Sequence, residues 1–197
     1  MRIRSFIFLF FFIAFINAQA QIAAGFSSSH DIYYNKLSAF RSKYGIGFQY
    51  FVGKHISLNN RILFGVNPQN NKVMVHYGLG GLLTQATLSG NGGLFFTGNV
   101  VNELLALVLL PIIVPEGVQF HIGKGNFQFS PYVYPASFQY NTFGDQEVKA
   151  LLELGVSTRF RTKDGLLIAP NLGWKMRYGD NLQAISVGVM IGYQSKD

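Results

Sequence analysis

Cysteine is absent from the 197 residues. That excludes thiol nucleophiles, thiolate metal sites and any disulfide framework. Charge is sparse: only 13% of residues are Asp, Glu, Lys or Arg, with 9 acids against 16 Lys and Arg. The basic residues stand singly rather than in a patch, which argues against a nucleic-acid partner. The four histidines, His30, His55, His76 and His121, are far apart and acidic clusters are missing. No metal-ligand spacing appears, so neither a metal nor a cofactor is expected. Long apolar runs are also lacking. Phe6–Ile16 and Leu104–Leu110 both fall short of the roughly twenty residues a spanning helix needs.

What is present begins with a leader. Arg2 and Arg4 precede the apolar Phe6–Ile16 run, and Ala18-Gln19-Ala20 supplies small residues before a cut. This reads as a secretory signal peptide over 1–20, cleaved after Ala20. Its removal takes away Arg2 and Arg4 and lowers the net charge from +7 to +5. Residues 21–40 show no sustained pattern and read as an extended lead-in, and 41–197 as one barrel domain.

The barrel reading comes from alternation. In 148–162, Val148, Ala150, Leu152, Leu154, Val156 and Phe160 share one face, opposite Lys149, Glu153, Ser157, Arg159 and Arg161. In 165–178, Leu166, Ile168, Leu172, Trp174, Met176 and Tyr178 oppose Asn171, Gly173, Lys175 and Arg177. In 182–193, Ile185, Val187, Val189, Ile191 and Tyr193 oppose Ser186, Gly188, Met190 and Gly192. A period of two puts such sets on opposite faces of a sheet. Strands of about ten to fourteen residues exceed the usual five or six of soluble sheets. One apolar face ending in aromatics, against a mixed polar face, is the pattern of a barrel in lipid.

The same pattern predicts eight strands near 43–52, 55–66, 73–84, 116–122, 127–139, 148–162, 165–178 and 182–193, the fourth short and able to borrow residues from before the apolar insertion. The fold class is therefore all-β: an eight-stranded antiparallel transmembrane β-barrel. Its short apolar insertion around 100–114 is interrupted by Pro111, and a helix against the barrel and a buried extended segment both stay open for it.

This hairpin series, with Tyr193 closing the last strand, resembles the small outer-membrane β-barrel proteins of Gram-negative bacteria, the OmpA-barrel and OmpX-like group. The Phe-rich leader ending Ala18-Gln19-Ala20-Gln21 is similar to those of Bacteroidetes. The resemblance covers about 43–193, with Gln194-Ser195-Lys196-Asp197 following the closing aromatic, and implies an outer-membrane location but no activity. Its implied partners are outer-membrane lipid and the barrel-insertion machinery during biogenesis, with the folded protein a monomer.

Eight strands enclose an interior filled by side chains. The polar faces project Arg61, His76, His121, Glu153, Arg159, Arg161, Lys175 and Arg177 inward. Glu153 is the main acid available to pair with Arg159, Arg161, Arg177 or Lys175, leaving a basic excess for water, for a loop acid such as Glu116, or for an anion. A structural polar network is the plain reading and anion binding the alternative. Tyr44, Tyr50, Trp174, Tyr178 and Tyr193 read as interface aromatics.

Three functions follow. The first is a structural barrel, or one binding a partner through its loops, above all around 85–115. The second is a lipid-modifying outer-membrane enzyme, for which His76, His121 and Ser130 are the residues to watch, although no nucleophile, base and orienter assemble from sequence. The third is a soluble, lipocalin-like binding barrel, which requires the apolar faces to point inward.

Overall fold

The computed structural model describes residues 21–34, 40–67, 72–88, 110–112, 114–141, 148–179 and 181–195. The leader 1–20 and most of the 100–114 insertion lie outside these residues. The strands are β1 (Ile22–Tyr33), β2 (Phe40–Phe51), β3 (Ile56–Asn67), β4 (Lys72–Tyr77), β5 (Gly117–Phe120), β6 (Phe127–Asn141), β7 (Val148–Arg161), β8 (Leu166–Arg177) and β9 (Leu182–Gln194), with helix α1 (Leu79–Leu88) between β4 and β5.

Every pairing is antiparallel, and the ring closes because β1 pairs with both β2 and β9. Nine strands occupy eight wall positions. β4 pairs with β3 over Ile62–Asn67, while β5 pairs with β3 over Ile56–Asn59. Both also pair with β6, so the two short strands lie end to end and complete one position.

Two expectations are corrected here. Residues 22–33 are no lead-in: they form β1 and close the barrel, so the domain begins about twenty residues earlier than the alternation at 43 suggested. The segment Ser27-Ser28-Ser29 hid it, because serines on both faces erase the apolar/polar contrast. The expected strand over 73–84 ends at Tyr77 and continues as α1. Eight positions result because β1 is gained and the expected third and fourth strands share one position.

The wall has two distinct ends. Turns 52–55, 121–126 and 162–165 lie at the end that also carries both termini of the described residues, where the Ser195 amide donates to the Ile22 carbonyl at 3.0 Å. The opposite end carries the strand ends Tyr33 and Phe40, Asn67 and Lys72, Asn141 and Val148, and Arg177 and Leu182. The Lys163-Asp164-Gly165 turn needs its glycine, since Gly165 sits at φ 94°, a conformation costly for other residues. A strand of 12 residues, as in β2 or β8, rising about 3.3 Å per residue and tilted roughly 40°, spans about 30 Å. That exceeds the roughly 25 Å apolar band of membrane barrels.

Burial is inverted relative to a water-soluble protein. Phe26, Ile46, Phe64, Phe129, Phe160, Leu172 and Ile185 are all more than 40% exposed, whereas Asp31, Lys43, Asn59, His76, Gln119 and Glu153 are 2% exposed or less. A lipocalin-like barrel needs the reverse arrangement. The lipocalin-like reading is overturned by which face closes inward.

The chain leaves the wall after β4 at Gly78 and re-enters it at Glu116, ahead of β5. Gly78 packs so tightly on Glu116 and Asn60 that an added Cβ would lie 2.9 Å from Glu116 Cα. Described parts of this excursion lie on the outer face. Asn60 points outward by strand parity yet is fully buried, its Nδ2 donating to the carbonyls of Pro111 and of Val114 (3.0 Å to the latter). The ring of Tyr77, also outward, is covered at Gly81 of α1. Residues 110–112 are helical, which favours the helical reading of that end of the insertion.

Candidate functional site

The interior is a layered polar network. Strand alternation aims Asp31, Lys43, Arg61, His76, Glu153 and Lys175 inward, and Glu116 enters just ahead of β5. Arg61 lies at the centre. Its Nε donates to Glu116 Oε2 at 3.0 Å, and its Nη2 donates to Glu116 Oε1 at 2.7 Å and Glu153 Oε2 at 2.8 Å. The guanidinium also stacks 4.4 Å from the Tyr134 ring centroid. Lys175 Nζ reaches Asp31 Oδ1 at 2.7 Å and Glu153 Oε2 at 3.3 Å, and Lys43 Nζ lies 2.5 Å from Asp31 Oδ2.

Three carboxylates thus meet three cations. Removing charges from water costs several kcal/mol each, and only pairing with good hydrogen bonds offsets that cost. The remaining acceptor sites are filled accordingly. His76 Nε2 lies 2.9 Å from Glu116 Oε1, Ser137 Oγ donates to the same oxygen at 2.5 Å, and Tyr132 Oη donates to Glu153 Oε1 at 2.9 Å. Tyr132 lies against Gly155 and Gly173: a Cβ on Gly173 would sit 2.4 Å from its hydroxyl. These two glycines make room for the ring.

A second layer lies toward the terminus-bearing end. His121 joins Ser130 Oγ through Nδ1 and Ser57 Oγ through Nε2, both at 2.9 Å. Ser57 donates to Asn59 Oδ1 at 3.1 Å, so it accepts from an Nε2–H, and Nδ1 is left to accept from Ser130. A serine hydroxyl donating to imidazole is the arrangement of an activated nucleophile. Here the orienting place beyond Nε2 holds Ser57 rather than a carboxylate, and Ser130 is fully buried. Arg159 closes this layer, donating to Gln128 Oε1 at 2.9 Å and Gln194 Oε1 at 2.8 Å above the Phe51 ring.

Of the eight lumenal residues read from sequence, the structure buries six: Arg61, His76, His121, Glu153, Arg159 and Lys175. Arg161 and Arg177 are only half-buried, each within two residues of a strand end, and do not join the central layer. Glu153 pairs with Arg61 and Lys175 rather than Arg159. Glu116 is a core member of the network rather than a loop acid. Asp31 and Lys43 complete it, and Asp31 was missed with β1.

His76, Glu116 and Glu153 also bring ligand-type atoms within 4.8 Å of one another, a convergence that 40-residue spacings hide. The Arg61 guanidinium binds both carboxylates and Lys175 adds a second cation at Glu153, so the set is charge-balanced by the chain itself. Among the interface aromatics, Tyr44, Tyr178 and Tyr193 are 45–55% exposed on the outer face. Trp174 is half-buried there and donates through Nε1 to Tyr34 Oη at 2.9 Å. Tyr50 departs from the expectation for an interface aromatic, being only 6% exposed.

No family model and no curated protein matches the chain. Among solved structures, Ail, the attachment invasion locus protein of Yersinia pestis, is similar at 6% identity and a TM-score of 0.46, over 89% of this chain and 99% of that one. The de novo designed TMB2.3 is similar at 10% identity and a TM-score of 0.42, over 92% and 99%. A chain from the de novo design of transmembrane β-barrels is 14% identical, with a TM-score of 0.40 over 89% and 95%.

Closure, strand length, the apolar exterior and the polar filled interior together define an eight-stranded transmembrane β-barrel.

Proposed function

We propose that this chain is an outer-membrane barrel of bacterial type, exported by its leader, whose sealed lumen makes it an anchor and scaffold rather than a pore. The observation that carries this reading is the neutral Asp31–Lys43–Lys175–Glu153–Arg61–Glu116 network spanning the interior. A cavity of about 30 Å³ beside it, lined by Gln49, Asn59, Arg61, Gln119 and Asn171 among others, has room for roughly one or two waters. Binding then falls to surfaces outside the lumen. The excursion 78–116 is the foremost of these: its described ends are planted on the lipid-facing wall, which suits a partner in the membrane plane.

The test is twofold. Detergent-folded mature protein should migrate differently unboiled and boiled, and fractionation should recover it with the outer membrane. Reconstituted in planar bilayers, it should show no stepwise conductance. Steady conductance steps would refute the sealed anchor, and free periplasmic protein would refute the membrane location.

A second reading, a lipid-modifying enzyme, is favoured by the Ser130–His121 pair alone. Lipid A mass spectra from cells carrying wild type, His121→Ala or no protein should be identical. A modification present with wild type and lost in His121→Ala would establish the enzyme instead.

A further inference from the structure

The central network is neutral, yet two buried arginines stand outside it, one toward each end of the barrel. Arg159 donates from both terminal nitrogens to the carboxamide oxygens of Gln128 and Gln194, and only its Nε lacks a partner. Arg41, at the end opposite the termini, is not. It is 6% exposed, and its Nε and Nη1 have no hydrogen-bond partner. Its guanidinium carbon lies 4.7 Å from the Tyr33 ring centroid, a contact that holds the group without neutralising it.

Asp31 faces Arg41 across the β1–β2 register, but its two oxygens are already taken by Lys43 at 2.5 Å and Lys175 at 2.7 Å. No ion pair joins Arg41 to a carboxylate among the described residues. The Tyr33 hydroxyl lies within electrostatic reach of the Asp31 carboxylate and of Arg41, Lys175 and Arg177. Below the group, Tyr33, Leu182 and Ala184 form a buried apolar floor. A cation with unpartnered donors, resting on an apolar floor, calls for an anion from solution.

We propose that this mouth of the lumen is a binding site for a phosphate or sulfate group, held on Arg41. A multiply charged oxyanion offers several acceptors to the unpartnered N–H donors and offsets the charge of Arg41. The group arrives from the aqueous side, because Arg41 points into the lumen rather than toward lipid. It is either the free ion or an ester on a soluble molecule.

The experiment is calorimetric titration of the detergent-folded protein with sodium phosphate, with sodium sulfate and with glucose 6-phosphate, at constant ionic strength held by chloride. Saturable binding should occur in wild type and in Lys163→Gln, a change on an exposed turn at the other end. In Arg41→Met it should weaken at least about tenfold, about 1.4 kcal/mol. Glucose 6-phosphate binding as tightly as phosphate assigns the site to an ester-borne group, and binding of the inorganic ions alone assigns it to the free ion. No saturable binding to wild type, or equal binding to Arg41→Met, overturns the proposal. Should Arg41→Met fail to fold, the Nε–Hε signals of wild-type arginines decide. One buried arginine signal moving with phosphate supports the site, and none moving refutes it.

Discussion

Replacing Arg61 with methionine tests the central network most directly. Among the described residues Arg61 is the one cation in contact with both Glu116 and Glu153, and its side chain is only 10% exposed, so solvent screening takes little from the interaction. The substitution keeps most of the packing volume but deletes three hydrogen bonds of 2.7–3.0 Å to carboxylates. Glu116 keeps His76 and Ser137, and Glu153 keeps Lys175 and Tyr132. Breaking one side of a buried ion pair costs about 3–5 kcal/mol. That corresponds to a folding equilibrium weakened by roughly two to four powers of ten.

The assay is urea unfolding in detergent, followed by the loss of the fast-migrating unboiled band. The companion variants are Glu116→Gln and the double change Arg61→Met with Glu116→Gln. If the network acts as a unit, the double variant recovers part of the loss, and the cycle yields a coupling of at least about 1 kcal/mol. An Arg61→Met variant within about 0.5 kcal/mol of wild type, the range of an ordinary surface change, would refute the network as the interior's organising element. Strict additivity in the cycle would refute the pairing with Glu116.

Other expectations follow from local geometry. Gly173→Ala places a Cβ against the Tyr132 hydroxyl, so it should displace that group from Glu153 and cost about 1–3 kcal/mol in the same unfolding assay; a neutral result would refute the close fit. Trp174 is the only tryptophan and lies on the outer wall three residues from the end of β8. Its fluorescence in vesicles should be quenched more by lipids brominated near the headgroup than by those brominated deep in the chain. The opposite order would place the ring at mid-bilayer. Asn60→Leu should leave the barrel heat-modifiable but free the Pro111 and Val114 carbonyls. Hydrogen exchange at the Val114 and Glu116 amides should then quicken, and unchanged protection would show that other contacts hold the excursion.

The sequence by itself determined the strand architecture wherever the two faces differ chemically. In β7 to β9 the contrast between Val156 or Ile185 and Ser157 or Ser186 is strong enough to set the period and the turns, and barrel closure follows from the cost of an open edge in lipid. It also determined which side chains of the alternating strands are polar, hence Arg61 on β3, His76 on β4, Glu153 on β7 and Lys175 on β8 as interior candidates. In β1 the contrast is missing, since Ser27, Ser28 and Ser29 look alike on both faces, and with that strand went Asp31 and the orphaned Arg41 beside it.

Tertiary structure decided the rest. Which face points inward depends on the direction in which the sheet closes, not on the period. The pairing of Arg61 with Glu116 joins residues 55 positions apart, and His121 meets Ser57 across 64. No local pattern records such distances, because they are fixed only when strand registers align around the ring. The burial of Asn60 and Tyr77 on the outer wall has the same origin. Strand parity assigns both to lipid, and only the returning excursion shows that protein covers them first.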